Sequence, residues 1–379
     1  MAMLASSFVI SLLGSAQFIK LNAGASFSII NGYGRAHFAN FSSMAHIEEI
    51  RNKIHLDLHT VRNTEDTRYP GTYSGYDDSW NLAKFKKDFK LEIVSRSARE
   101  VEFDMIGIDT PFANAFRRIL LAEVPTMAVE QVFIYNNTSV MQDEVLAHRL
   151  GLLPINVDPR LFEMKKKDDK VTERNTLRFR LKVRCKRNKK APSDTTNPDE
   201  LYLNSKVYTR TIEWEPIGDQ KNWIPGGVRF TEDDILINVL RPGQELDMVL
   251  SAVKGIGSDH AKFSPVATAS YRLMPEIQLL QPFRGHLAEK LKNCFSPGVI
   301  EIESGEAVVK CARLDTGSRE VLRHSELADK VKLLKVRDHF IFTIESTGAL
   351  DPLDLMREAI RILKDKCKTY RKELDVLTT

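Results

Sequence analysis

The chain has 379 residues, of which 42% are apolar and 28% charged, and its net charge is only +4. That balance excludes wholesale disorder and a strongly basic nucleic-acid module, while the length allows two or three domains with at least one sizeable core. Four cysteines, at 185, 294, 311 and 367, form no CxxC pair and no regular spacing, so no disulfide framework or zinc knuckle is predicted and buried free thiols are the plain reading of all four.

From Met1 to Ile47 there is no Asp or Glu, and only Lys20 and Arg35 are basic. The composition is transit-peptide-like; the alternative is that translation starts at Met44 and the preceding residues come from a mispredicted first exon. In either case residues 1–47 are read as unstructured. The apolar run Met3–Leu13 is too short to span a bilayer, and nothing later is suited to span one.

Phe89, Leu91 and Ile93 alternate with polar residues, as do Val101, Phe103 and Met105, which predicts a half-buried hairpin. Asp109 or Thr110 then caps a helix with Pro111 in its first turn, where the missing amide hydrogen is harmless. Phe112, Phe116, Ile119 and Leu120 share one face of that helix, and Asn114, Arg117 and Arg118 lie on the other. Pro125 ends it. Val129, Val132, Ile134 and Tyr135 read as a strand, and Asp143 to Gly151 as a second helix, with acidic residues in its first turn and a glycine at its end.

Beyond Arg160 the chain becomes charge-rich. Leu177, Phe179, Leu181, Val183 and Cys185 alternate with Arg178, Arg180, Lys182 and Arg184, one apolar and one basic face of a strand. The run Lys186 to Lys190 reads as a loop, either a phosphate-binding patch or simply solvated; no aromatic residues interleave its charges. Strands resume at Ala267 to Met274, residues 281 to 335 mix a short helix, strands and loops, and a strand follows at Phe340 to Ile344. A long final helix opens with Asp351 at its cap and Pro352 at its first position; Leu353, Met356, Ile360, Leu363, Cys367 and Tyr370 recur along it at spacings of three and four. Both this seam and the apolar face of the first helix invite a partner helix as well as a packed interior.

No P-loop, GxSxG elbow, HExxH or strand-linked GxGxxG is present, so enzymatic chemistry is not predicted. The neighbours Asp259 and His260 rarely point at one target, and His148 reads as a packed or hydrogen-bonded histidine.

Four stretches resemble the alpha-type assembly subunits of archaeal and eukaryotic RNA polymerases: FANAFRRILLAEVP at 112–125, DEVLAHRLGLLPINVDP at 143–159, KGIGSDHAKFSPVATASYRLMPEI at 254–277 and FTIESTGALDPLDLM at 342–356. The resemblance implies an α+β fold. Its parts are a discontinuous dimerisation domain (84–160, 254–281 and 336–379), a β-rich insert domain (161–253) and a small ferredoxin-like module without an Fe–S cluster (282–335). The RNA polymerase II counterpart carries a zinc-binding cysteine cluster in the insert, where only Cys185 stands here; some archaeal relatives hold iron–sulfur clusters in the module, where only Cys294 and Cys311 stand. Neither metal nor cofactor is therefore expected, and together with GIGSDHAKFSPVATA this looks most like the branch shared by RNA polymerases I and III.

The implied role is a non-catalytic assembly platform, nuclear and in part nucleolar, with the active site on the large subunits. The implied partners are a smaller alpha-like subunit, bound as a heterodimer through Phe112, Phe116, Ile119, Leu120, Leu353, Met356, Ile360, Leu363, Cys367 and Tyr370, and the second-largest subunit, docked on Asn114, Arg117 and Arg118. Small zinc-binding subunits join the same platform, nucleic acid is met only within the complex, and no membrane is involved. The alternative is a homodimeric plastid or bacterial-type alpha subunit, which usually appends a DNA-binding domain for which no room remains after the seam helix.

Overall fold

The computed structural model describes residues 44–192, 195–224 and 226–378. The leader or start-site reading falls on residues 1–43, outside the described residues. Along the chain come α1 (Met44–Asn52), β1 (Lys53–Leu56), β2 (Val61–Arg62), α2 (Leu82–Asp88), β3 (Lys90–Arg96), β4 (Glu100–Ile106), α3 (Thr110–Ala122), β5 (Thr126–Asn137) and α4 (Asp143–Gly151). There follow β6 (Leu177–Arg184), β7 (Ile212–Glu215), β8 (Glu245–Gly255), β9 (Val266–Leu279), α5 (His286–Asn293), β10 (Ile300–Glu303), β11 (Glu306–Val309), β12 (Val331–Ser346) and α6 (Pro352–Thr378), with shorter turns and strands between. Residues 44–47, read from composition as unstructured, open α1.

Two compact units emerge, one comprising the chain up to Val94 with Phe103–Ala113 and Tyr271–Phe342, the other Ser95–Glu102, Asn114–Ser270 and Thr343 onward. In the first, a six-stranded sheet runs β2-β1-β12-β4-β3, with β9 also paired to β12. β1 is antiparallel to β12, Lys53 opposite Val336 and Leu56 opposite Leu333. Phe103 stacks on Phe342 at 5.3 Å between ring centres, and Tyr271 meets Phe340 edge-on at 5.5 Å. The predicted hairpin of β3 and β4 is buried on one strand only: Phe103 and Met105 are inaccessible, whereas Ile93 is 47% exposed. β3 is an edge strand, and alternation in sequence reports a strand's two faces without reporting whether anything covers them.

The segment after β9 builds its core from Phe283, Leu291, Val299, Ile300, Val321 and Leu327, continued by Leu56 of β1 and Ile277 of β9. β12 runs unbroken through residue 335, so the strand expected at Phe340 begins nine residues earlier than its most apolar stretch. A buried charge ties this segment to the sheet. The Asp104 carboxylate on β4 accepts from Arg313 at 2.8 Å and lies 3.0 Å from His339 Nε2 on β12. At the other end α1 is fastened through Arg51, whose guanidinium donates to Asp78 and lies 4.2 Å from the centre of the Tyr76 ring. A cation this deeply buried is tolerable only with such a partner.

In the second unit the sheet order is β7-β6-β8-β5. β6 alternates as its sequence dictates, with Leu177, Phe179 and Leu181 fully inside and Arg178, Lys182 and Arg184 outside. Those side chains join Leu146 and Leu150 of α4 and Met248 and Leu250 of β8 in one core. At roughly 1.5–3 kcal/mol for each large aliphatic or aromatic side chain fully buried, this core is the unit's main stabilising term. β5 and β8 pair over their whole length, from Thr126 opposite Gly255 to Asn137 opposite Leu246, with two register shifts. Lys186 and Arg187, expected in a loop, instead pair with Tyr202 and Leu203 before the chain turns at Lys189.

Candidate functional site

The face expected to carry docking residues is built on α3. Its first turn is capped by the Asp109 carbonyl, which accepts from the amides of Phe112 and Ala113 at 3.1 and 3.4 Å. The Asp109 carboxylate, one of the two caps expected with Thr110, pairs with Arg68 instead. Phe116, Ile119 and Leu120 are buried within the chain, Phe112 is half-buried, and Arg118 is exposed. Arg117 lies along the helix, its Nε and Nη2 donating to Asn114 Oδ1 at 3.1 and 2.9 Å. The Nε/Nη2 side of the guanidinium is thereby taken up by Asn114, which fixes its direction and leaves the Nη1 side to meet a carboxylate or carbonyl acceptor.

The end of α3 is clasped by residues 255–263. A Cβ on Gly257 would lie 2.2 Å from the Leu121 carbonyl oxygen, so only a glycine lets the strand end approach the helix this closely. Ser258 then donates from its amide and its hydroxyl to the Ala122 carbonyl at 2.8 and 2.9 Å, satisfying one of the last acceptors of the helix. Gly255 makes room for the Phe263 ring, 2.7 Å from where a Cβ would stand. The Phe263 carbonyl accepts from the Thr126 hydroxyl at 2.7 Å, and Lys262 donates to the Val129 carbonyl at 2.9 Å while pairing with Glu130. His260 Nδ1 accepts from the Lys262 amide, so this histidine shapes a turn. His148, expected to be packed or hydrogen-bonded, is exposed and meets the His260 ring edge-on at 6.4 Å.

α6 supplies the second part. Asp351 Oδ1 accepts from the Leu353 amide at 2.9 Å, and its other oxygen pairs with Arg96 at 2.9 Å. Partial burial works to raise the pKa of this carboxyl, but the amide and the guanidinium prevail and hold it below its ordinary value. Farther along, Glu358 is nearly buried and is met by Arg361 at 2.8 Å and Arg160 at 3.6 Å, while Lys366 pairs with Glu123 at the end of α3.

Burial divides the seam. Met356 and Ile360 are inside the chain, Leu353 and Leu363 are half-buried, and every residue from Asp365 to Leu377 is exposed. Tyr370 is 65% exposed and Leu377 82%. Cys367, expected to be a buried thiol, is exposed with them. The spacing of three and four continues past Tyr370 through Leu374 to Leu377, which adds two residues to the seam that the sequence predicts. That reading also passes over Leu355 and Ala359, both fully buried. Their i, i+4 relation widens the apolar face of the first half beyond a narrow seam, which is the signal of a helix packed on its own domain.

Of the ten residues expected to meet a partner subunit, Phe116, Ile119, Leu120, Met356 and Ile360 are thus interior, Phe112, Leu353 and Leu363 intermediate, and Cys367 and Tyr370 open. Among the described residues no group of His, Cys, Asp and Glu is arranged to hold a metal ion, and no helix is long and apolar enough to cross a membrane.

Residues 102–367 match the family model described as the RNA polymerase Rpb3/Rpb11 dimerisation domain. The chain is 56% identical over 337 residues to the human DNA-directed RNA polymerases I and III subunit RPAC1, covering 87% of this chain and 97% of that protein. Against the Saccharomyces cerevisiae subunit of the same name identity is 50% over 324 residues, 84% of this chain and 97% of the relative. Against the Dictyostelium discoideum DNA-directed RNA polymerase II subunit rpb3 it is 32% over 306 residues, 76% of this chain and 95% of the relative.

Proposed function

Because the chain belongs to the RNA polymerase Rpb3/Rpb11 dimerisation-domain family, we propose that it is a non-catalytic assembly subunit shared by RNA polymerases I and III. The gap between 56% identity to a polymerase I and III subunit and 32% to a polymerase II subunit supports that branch. The polymerisation chemistry belongs to the large subunits, and the place of work is the nucleus, including the nucleolus.

The observation that carries the dimer reading is the divided seam of α6, apolar at heptad spacing over its whole length but covered by its own chain only as far as Leu363. A smaller alpha-like subunit with a matching helix would cover the rest, beginning at Cys367 and Tyr370, with Phe112, Leu353 and Leu363 at the margin. Phe116, Ile119, Leu120, Met356 and Ile360 then act by holding α3 and α6 in place. The dimerisation domain comprises 84–160, 254–281 and 336–379, the β-rich insert 161–253, and a cluster-free ferredoxin-like module 282–335. Asn114, Arg117 and Arg118 dock the second-largest subunit, and small zinc-binding subunits join the same platform.

Affinity purification of the tagged chain from its own cells in mild salt, with mass spectrometry of the partners, tests this. Recovery of one small alpha-like subunit with large subunits of both polymerases is expected; a self-dimer without them would overturn it. Replacing Arg117 and Arg118 together by Glu is expected to keep the heterodimer while weakening the second-largest subunit's attachment by about tenfold or more, as loss of a buried charged contact does. Undiminished polymerase recovery from that variant would remove the docking role.

A further inference from the structure

The cations of the second unit fall into two groups that the structure treats differently. On the outer face of β6 three of the four are answered among the described residues, Arg178 being the exception. Arg180 and Lys182 of β6 both reach Asp247 of β8, and Arg184 lies 3.6 Å from Glu245. One step past Cys185 the pattern stops. Lys186, Arg187, Lys189 and Lys190 are all exposed, and among the described residues no carboxylate lies within ion-pair distance of any of them.

These cations are not on a loose tail. Lys186 and Arg187 sit in a two-residue strand opposite Leu203 and Tyr202. The Asn188 amide donates to the Leu201 carbonyl at 2.8 Å, its side-chain amide to the Glu200 carbonyl at 2.8 Å, and its Oδ1 accepts from the Lys190 amide at 3.0 Å. Lys186, Arg187 and Lys189 thereby line an open depression of about 800 Å³, whose other walls include Ala191, Pro192, Leu201 and Pro242. Among the described residues neither a carboxylate nor an aromatic ring lines it. Holding this many like charges together without counter-charge is unfavourable, and an anionic occupant relieves it.

We propose that this depression is a docking site for an acidic, extended segment of a partner protein, with carboxylates on either side of an aliphatic side chain. The unanswered cations supply the complementarity to the carboxylates, and Leu201, Pro242 and Pro192 the contact for the aliphatic group. Single-stranded nucleic acid fits less well because binding of that kind leans on aromatic platforms for the bases, and the walls here are aliphatic. The interaction is screened by salt, since the cations are solvent-exposed.

The test uses the full chain and three fluorescein-labelled probes: an eight-residue peptide of glutamates with two interspersed leucines, the same peptide with glutamine for glutamate, and a twenty-nucleotide oligouridylate. Saturable binding of the acidic peptide, none of the glutamine peptide, and weakening by about tenfold or more in the double variant Lys186→Glu/Arg187→Glu are expected. Because Lys186 and Arg187 belong to a short strand, Lys189→Glu/Lys190→Glu, confined to the turn, gives an independent reading, with the melting temperature of both variants checked against the parent. Failure of the acidic peptide to bind the parent chain, equal binding by the folded turn variant, or tighter binding of the oligouridylate would each overturn the proposal.

Discussion

The two halves of α6 carry one sequence pattern and meet two fates. From Pro352 to Lys364 the helix is packed on its own chain, with Leu355 and Ala359 fully inaccessible; from Asp365 onward the same three-and-four spacing faces water. Periodicity tells which face of a helix is apolar, and the width of that face tells what covers it. The first half has the broad stripe of a domain helix, whereas Cys367, Tyr370, Leu374 and Leu377 form a narrow exposed line at the spacing that a two-helix seam uses. One helix is thus a core element at one end and, on the function proposed above, a connector at the other.

Charging the packed half has the largest expected effect. Ile360→Asp places a carboxylate where only 4% of the side chain's surface reaches water, and about 3–5 kcal/mol or more of stability is expected to be lost in urea denaturation. A near-native midpoint would mean that this half is not an interior helix. Next in size, Tyr370→Asp is expected to leave the chain's own stability within about 0.5 kcal/mol while costing about 2 kcal/mol of affinity for the smaller alpha-like subunit, measured by titration calorimetry. If heterodimer affinity is unchanged, the exposed half is not the connector. Asp351→Ala removes the side-chain cap at the start of the packed half and is expected to cost about 1 kcal/mol in the same denaturation assay.

The smallest effect is a pH dependence. The Asp351 carboxyl is held below its ordinary value of 3.8, so its ionised form contributes stability above that pH, and the contribution is lost as pH falls through the lower folded value. The stability difference between the parent and Asp351→Asn is therefore expected to be flat above about pH 5 and to shrink below about pH 4. A difference that grew on acidification would contradict the assignment.

How much of this was legible in the sequence depends on the range of the forces involved. β6 could be read residue by residue, because strict alternation from Leu177 to Arg184 is a local consequence of the pleat. So could the helical character and apolar face of α3, though not that its own chain covers that face, nor the Arg117 to Asn114 contact, which depends on rotamers. The need for glycine at 257 was hidden, since the atom it avoids, the Leu121 carbonyl oxygen, lies far away in the chain. The exposure of Cys367 was hidden for a related reason: composition gives the average fate of a residue type, and neighbours decide the individual case. β1 escaped notice because four residues with one buried side chain carry no period.

That small strand has a consequence for biosynthesis. β1 finds its ladder partner in β12, with Lys53 opposite Val336, roughly 280 residues later, and at ~5–20 residues per second the wait on the ribosome is of the order of tens of seconds. β5 and β8, by contrast, lie within one stretch from Thr126 to Gly255 and can zip together while the rest is still being made. Leu56, which belongs to the core completed by Val331 and Leu333, must remain unsatisfied throughout that interval. The nascent chain therefore offers a finished β-sheet midway while its N-terminal edge stays open. This makes the synthesis of β12 the step that closes the sheet and the core around Leu56.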